Sequence, residues 1–223
     1  VATALAANLF ETRLSGHGHL ERPMDSVRAE DWLADAAEAL AIGAQLGEKI
    51  VVIGTSTGGT LALAMSDDPA ARAVSDIVLI SPNLQPRDSK ANWLTRPAGP
   101  LIAKLVAGDT RSWEAHNEQQ ARYWSTSYPI EAAVEVMRLV DLLNSRLPMQ
   151  LRQNLLVLQS PQDKVVSAEA TRRAFEQIRA PRKEFIEVDD AEDPSRHVLA
   201  GDILAPNSTG RIAAAIVKFV AGP

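Results

Sequence analysis

The segment Lys49-Ile50-Val51-Val52-Ile53-Gly54-Thr55-Ser56-Thr57-Gly58 carries more structural information than any other part of the chain. After Lys49, its first half is an unbroken aliphatic, mostly β-branched run. That is the pattern of a strand covered on both faces, as in a parallel sheet. Its second half fits G-x-S-x-G, a strand that turns at once into a helix with a serine at the tip. The turn is sharp, so a Cβ at Gly54 or Gly58 is expected to collide with neighbouring backbone. Ser56 is then held in a rarely populated conformation at a helix N-terminus, where free N–H groups can stabilise a developing oxyanion. The competing interpretation is a glycine-rich, phosphate-holding turn. It lacks both the glycine spacing of G-x-G-x-x-G and the lysine of a Walker A loop.

Outward from this segment, strands and helices alternate. Residues 9–14 are expected to form a short strand running into Ser15-Gly16-His17-Gly18. Residues 32–46 place Leu33, Ala36, Ala37, Leu40 and Ala44 on one helical face, closed by Gly47. Residues 61–66 continue the serine turn as a helix. Residues 76–80 (DIVLI) read as a second buried strand closed by Ser81-Pro82-Asn83, and residues 154–159 and 184–188 repeat the theme. A final helix over 211–220, capped by Asn207 or Ser208, turns Ile212, Ile216, Val217 and Val220 inward. This alternation predicts an α/β fold with a mostly parallel, doubly wound sheet, as a single domain over 1–223.

Between about 86 and 150 the strand pattern stops and Pro97, Pro100, Pro129 and Pro148 break the chain into helical pieces. Five of the six Trp and Tyr residues fall here: Trp93, Trp113, Tyr123, Trp124 and Tyr128. The expectation is a helical cap inserted between two strands. The plainer interpretation is a long helical crossover whose aromatics form its own core.

Composition narrows the function classes. With 223 residues, 46% hydrophobic and 23% charged, the chain is neither disordered nor fibrous. A formal charge of −5 argues against nucleic acid as a partner, since that needs a concentrated basic face. No apolar run reaches membrane-spanning length, so no stable membrane insertion is expected. Cysteine is absent, which removes disulfides, thiolate nucleophiles and Cys-ligated metals.

A serine hydroxyl needs a base, itself oriented by an acid. Of the four histidines, His17 and His19 lie in a glycine loop and His116 in the expected cap. His197 follows the last predicted strand and precedes the last helix. For the G-x-S-x-G motif the chain order is Ser, acid, His, which selects His197. Asp163, in Ser160-Pro161-Gln162-Asp163-Lys164-Val165-Val166, directly follows a buried strand and is the leading acid; Asp189, Asp190 and Asp193 are rivals on the loop before His197.

The chain resembles the α/β-hydrolase superfamily, above all its bacterial carboxylesterase and lysophospholipase-like or monoacylglycerol-lipase-like branch. The resemblance rests on Arg13-Leu14-Ser15-Gly16-His17-Gly18, Gly54-Thr55-Ser56-Thr57-Gly58-Gly59, Pro161-Gln162-Asp163-Lys164-Val165-Val166, and His197 before the last helix. It implies Ser56 as nucleophile, Asp163 as acid, His197 as base and the Thr57 N–H as an oxyanion donor. It further implies a small-molecule carboxylic ester as substrate, no cofactor and no metal. The cap aromatics Trp93, Trp113 and Trp124 point to an apolar acyl group, as in a lysophospholipid or monoacylglycerol. The same triad serves thioester, amide or carbon–carbon cleavage in this fold, and a silent ligand-binding relative is the rival from another class. The chain opens on Val1 rather than Met. The resemblance therefore implies that three further strands and the loop with the second oxyanion N–H lie upstream, on the same or a separate chain. One of those strands is expected between residues 9–14 and 49–53.

Overall fold

The computed structural model describes residues 1–18, 24, 26–99, 101, 104–105 and 108–222. Four parallel strands form the central sheet: β1 (Ile50–Thr55), β2 (Val74–Ile80), β3 (Asn154–Gln159) and β4 (Lys183–Glu187), in the spatial order β1-β2-β3-β4. Successive side chains alternate between the faces, as strand geometry requires. Ile77, Leu79, Leu155 and Val157 share one core with Leu40, Leu63, Leu143 and Ala174. Their neighbours Val78, Ile80, Leu156 and Leu158 share the opposite core with Ile212, Ile216 and Phe219.

The first core is roofed by α1 (Ala29–Leu46), α2 (Thr57–Ala64), α4 (Ile130–Asn144) and α5 (Ala168–Gln177); the second by α6 (Pro206–Ala221). Helices on both faces make the sheet doubly wound, as the strand–helix alternation predicts. A third apolar cluster, centred on the fully buried Trp32, joins α1, α2 and α4 through Leu61, Ala132 and Leu139.

The stretch 86–150 is not uniform. It contains a short 3-10 helix, Ser89–Trp93, and α3 (Glu118–Tyr123), flanked by the small antiparallel pair Thr110–Ser112 with Ser127–Pro129. The residues of α4 that follow are mostly buried against α1 and α2. Pro100 lies outside the described residues, as does His19.

Two expectations need correction. Residues 9–14 form no strand, and among the described residues β1 pairs only with β2. A strand is stable only when its N–H and C=O groups find a ladder, and here none is offered to residues 9–14. Between them and β1 runs a largely apolar groove of about 770 Å³, also lined by Leu40 and Gly43 of α1 and by Gly58. The final helix starts five residues early, at Pro206, so Asn207 and Ser208 sit inside its first turn. The carboxylate of Glu192 replaces a local cap, accepting from Asn207 Nδ2 at 2.8 Å and from the Ser208 N–H at 2.6 Å. Proline at the first helical turn has no N–H to satisfy, which favours this earlier start. No helix among the described residues is long and apolar enough to cross a membrane.

Candidate active site

Ser56 lies between the end of β1 and the start of α2, at φ 52° and ψ −119°. A serine in that region costs on the order of 1–3 kcal/mol and persists only where surroundings enforce it. Here they do. The Ser56 N–H donates to Ile80 O at 3.0 Å, and its carbonyl accepts from Gly59 at 2.9 Å and Asn83 at 3.0 Å. A Cβ on Gly54 would come within 2.4 Å of Gly58 O, so that glycine is obligatory. The expected clash at Gly58 is absent: nothing lies within 4 Å of a Cβ there, because the position opens on the groove. Gly59 takes its place as the second constrained glycine, since a Cβ there would come within 2.8 Å of Pro82 Cβ. The N–H groups of Thr57 and Gly58, in the first turn of α2, have no backbone acceptor among the described residues and are available to an anion.

Asp163 follows β3 and is completely buried. Its Oδ1 accepts the N–H groups of Val165 at 2.8 Å and Val166 at 2.9 Å. Its Oδ2 accepts from Gln159 Nε2 at 3.0 Å and meets His197 Nδ1 at 2.9 Å. Four hydrogen bonds use the acceptor capacity of a carboxylate and offset the cost of burying its charge. With Nδ1–H turned toward Asp163, the neutral His197 ring carries its lone pair on Nε2, the state a general base requires. Ser56 Oγ is not hydrogen-bonded to that nitrogen. Ser56, Asp163 and His197 all lie beyond the C-terminal ends of parallel strands, β1, β3 and β4, where open α/β sheets bind ligands. Strands β1 and β3 are separated only by β2, so the serine and acid turns are about 10 Å apart in the sheet plane, a span an imidazole can bridge.

The rival acids have other positions. Asp190 pairs with Arg211 at 2.5 Å on the surface, and Asp189 is exposed. Asp193 is fully buried, yet it faces backbone rather than a ring. It accepts the N–H groups of Ser195 at 3.2 Å, His197 at 2.9 Å and Val198 at 2.9 Å, together with the Ser195 hydroxyl. Burial works against its charge, but the Ser195 hydroxyl and these N–H groups outweigh that and hold its carboxyl below the usual carboxylate range. Asp193 thereby shapes the loop that presents His197. Its spacing, four residues before the histidine, is the only sequence signal for that role, and Gln159 has none.

The aromatics of residues 86–150 occupy varied positions. Trp93 is 69% exposed, Trp124 is partly exposed after α3, and Trp113 is half-buried, its backbone N–H donating to Thr126 O. Tyr128 packs toward the Trp32 cluster, and the Arg111 guanidinium lies 6.0 Å from its ring centre. None of the five lines the groove beside β1 or the smaller polar cavity of about 430 Å³ near Asn92, Arg96 and Asp141. His17 sits edge-on to Trp32, 6.2 Å between ring centres, in a loop tied to Asp35 through Ser15.

A parallel sheet with a serine at this strained turn and an acid and base beyond later strands defines the α/β-hydrolase class. The chain belongs to the family described as serine aminopeptidase S33, whose model matches residues 2–192. No curated protein matches it. Among solved structures, one reported with the metagenome-derived lipolytic enzymes LipS and LipT is 22% identical, covering 94% of this chain and 80% of its own, with a TM-score of 0.70. A soluble variant of monoglyceride lipase from Saccharomyces cerevisiae, with a substrate analogue, is 12% identical over 95% of this chain and 76% of its own, TM-score 0.69. A putative hydrolase from Agrobacterium vitis S4 is 24% identical over 92% and 73%, TM-score 0.59. At these identities the likeness establishes the fold.

Proposed function

We propose that the protein is a serine esterase that cleaves a carboxylic ester with an apolar acyl group through an acyl-enzyme on Ser56. His197 Nε2 takes the Ser56 proton as Oγ attacks the carbonyl carbon, then returns it to the leaving alcohol; water repeats the sequence to release the acid. Asp163 holds the imidazole tautomer and stabilises the transient imidazolium. The Thr57 N–H donates to the oxyanion. The second donor is assigned to a segment seated in the groove beside β1 and Gly58, of this polypeptide or of a separate chain. Trp93, Trp113 and Trp124 are assigned to the acyl-binding surface.

The observation that carries this reading is the 2.9 Å pairing of His197 Nδ1 with the fully buried Asp163. An ordinary surface histidine has no reason to keep a buried carboxylate as its partner. The likeness of lipolytic enzymes and a monoglyceride lipase to this fold supports an ester over an amide. A series of p-nitrophenyl esters of rising acyl length, run beside aminoacyl p-nitroanilides, tests the assignment. Ester turnover that rises from acetyl to longer chains supports it; turnover of the anilides alone overturns it.

A further inference from the structure

We infer that Gln159 is a positioning residue, whose carboxamide fixes the Asp163 carboxylate so that one oxygen is presented to the His197 ring. This rests on the proposed triad and deepens it. Gln159 is the last residue of β3 and is 1% exposed. Its backbone is held on the β4 side, where its carbonyl accepts the Val188 N–H at 3.0 Å. From that fixed point Nε2 donates to Asp163 Oδ2 at 3.0 Å and to Ser160 O at 3.1 Å, using both its hydrogens. Packing does not explain the amide, because Gln159 Oε1 is buried with no donor. Methionine would fill the space with no orphaned oxygen. The reverse amide orientation would set Oε1 against Asp163 Oδ2, acceptor against acceptor, so the acid dictates which way the group faces.

The two oxygens of Asp163 are held differently. Oδ1 is locked by two backbone N–H groups of its own turn. Oδ2 has only side-chain partners, Gln159 and His197. The His197 hydrogen bond to Oδ2 changes in strength as the ring gains and loses its charge during turnover, whereas the one from the Gln159 amide does not. The Gln159 N–H thus holds the carboxylate throughout, while the proton moves between Ser56, His197 and the leaving group.

The test uses Gln159→Met, which keeps the shape without a donor, and Gln159→Glu, whose carboxyl donates to Asp163 only while protonated. For Gln159→Met the expectation is a kcat lowered about tenfold or more with KM within about twofold. For Gln159→Glu the ratio of its kcat to that of the parent is expected to fall as pH rises. The low-field proton resonance of His197 Nδ1–H, read in folded protein without turnover, is expected to shift or broaden in Gln159→Met. Parental kcat in Gln159→Met, a pH-independent ratio in Gln159→Glu, or an unchanged resonance overturns the inference. If Gln159→Met does not fold, the Gln159→Glu ratio decides. A parent with no ester turnover overturns the esterase reading instead, while the resonance still tests Gln159.

Discussion

At the scale of single residues, two buried aspartates separate by what they face. Asp163 meets the His197 ring, whereas Asp193 gathers the N–H groups of the loop that carries it. Asp163→Asn should lower kcat by roughly 10³-fold or more, through a mis-set tautomer. Asp193→Asn should act chiefly on stability, at about 1–3 kcal/mol, because an amide NH₂ replaces an acceptor among donors. The sign with pH follows from the lowered pKa of Asp193. Its charged form contributes stability above the ordinary carboxylate value, near 3.9, and that contribution is lost as pH falls further through the folded value. Denaturant melts between pH 7 and pH 3 should therefore show an acid-side loss in the parent that is smaller in Asp193→Asn. Parallel curves would remove Asp193 from the account. The positions of Ser56 and Asp163 just after β1 and β3, and of His197 on the loop between β4 and the last helix, were legible because the sequence announces those strands and that helix. Gln159 was not, since a glutamine ending a buried strand reads as a solvated end until its partner is known.

At the scale of elements, the serine turn shows what a pattern can and cannot convey. A strand of aliphatic residues followed by G-x-S-x-G correctly implied β1, the turn and α2, because Ile50 and Val52 pack toward one core, Val51 toward the other, and Gly54 tolerates no Cβ. The same logic failed at Gly58, where the neighbouring space is open. Gly54→Ala should melt far below the parent, whereas Gly58→Ala, on the first turn of α2, should be neutral or stabilising, Ala exceeding Gly by about 0.8–1 kcal/mol in helices. Thermal melts of the two variants check this. Equal losses in residues 1–223 alone would contradict the open position of Gly58. Residues 9–14 and the start of α6 were misread for a related reason. A strand depends on its ladder partner, and the α6 start depends on Glu192, which lies outside the helix.

At the scale of the whole molecule, the sheet is asymmetric. Strands β2 and β3 are flanked on both sides, but β1 has β2 on one side and the groove on the other. Ile53 is 44% exposed at a position that a central strand would bury. Hydrogen–deuterium exchange should find alternate amides of β1 exchanging faster than those of β2 and β3, since only one edge is paired. Where the segment proposed to carry the second oxyanion donor is seated in the groove, the same amides should be protected; uniform protection of β1 in residues 1–223 alone would contradict the open edge. Doubly wound architecture was legible from the order of strands and helices. The unpaired edge of β1 was expected from the resemblance, which places a further strand between residues 9–14 and 49–53; that residues 9–14 form no strand was not, because a strand's own residues do not record whether a ladder partner is present.

The central claim is that Ser56 is a nucleophile activated by the His197–Asp163 pair. An active-site-directed fluorophosphonate tests it most directly, read by intact mass and peptide mapping. The account predicts one adduct per chain on Ser56, lost in Ser56→Ala and strongly slowed in His197→Ala. Protein that circular dichroism shows to be folded, yet carries no adduct or carries it on another residue, would contradict it.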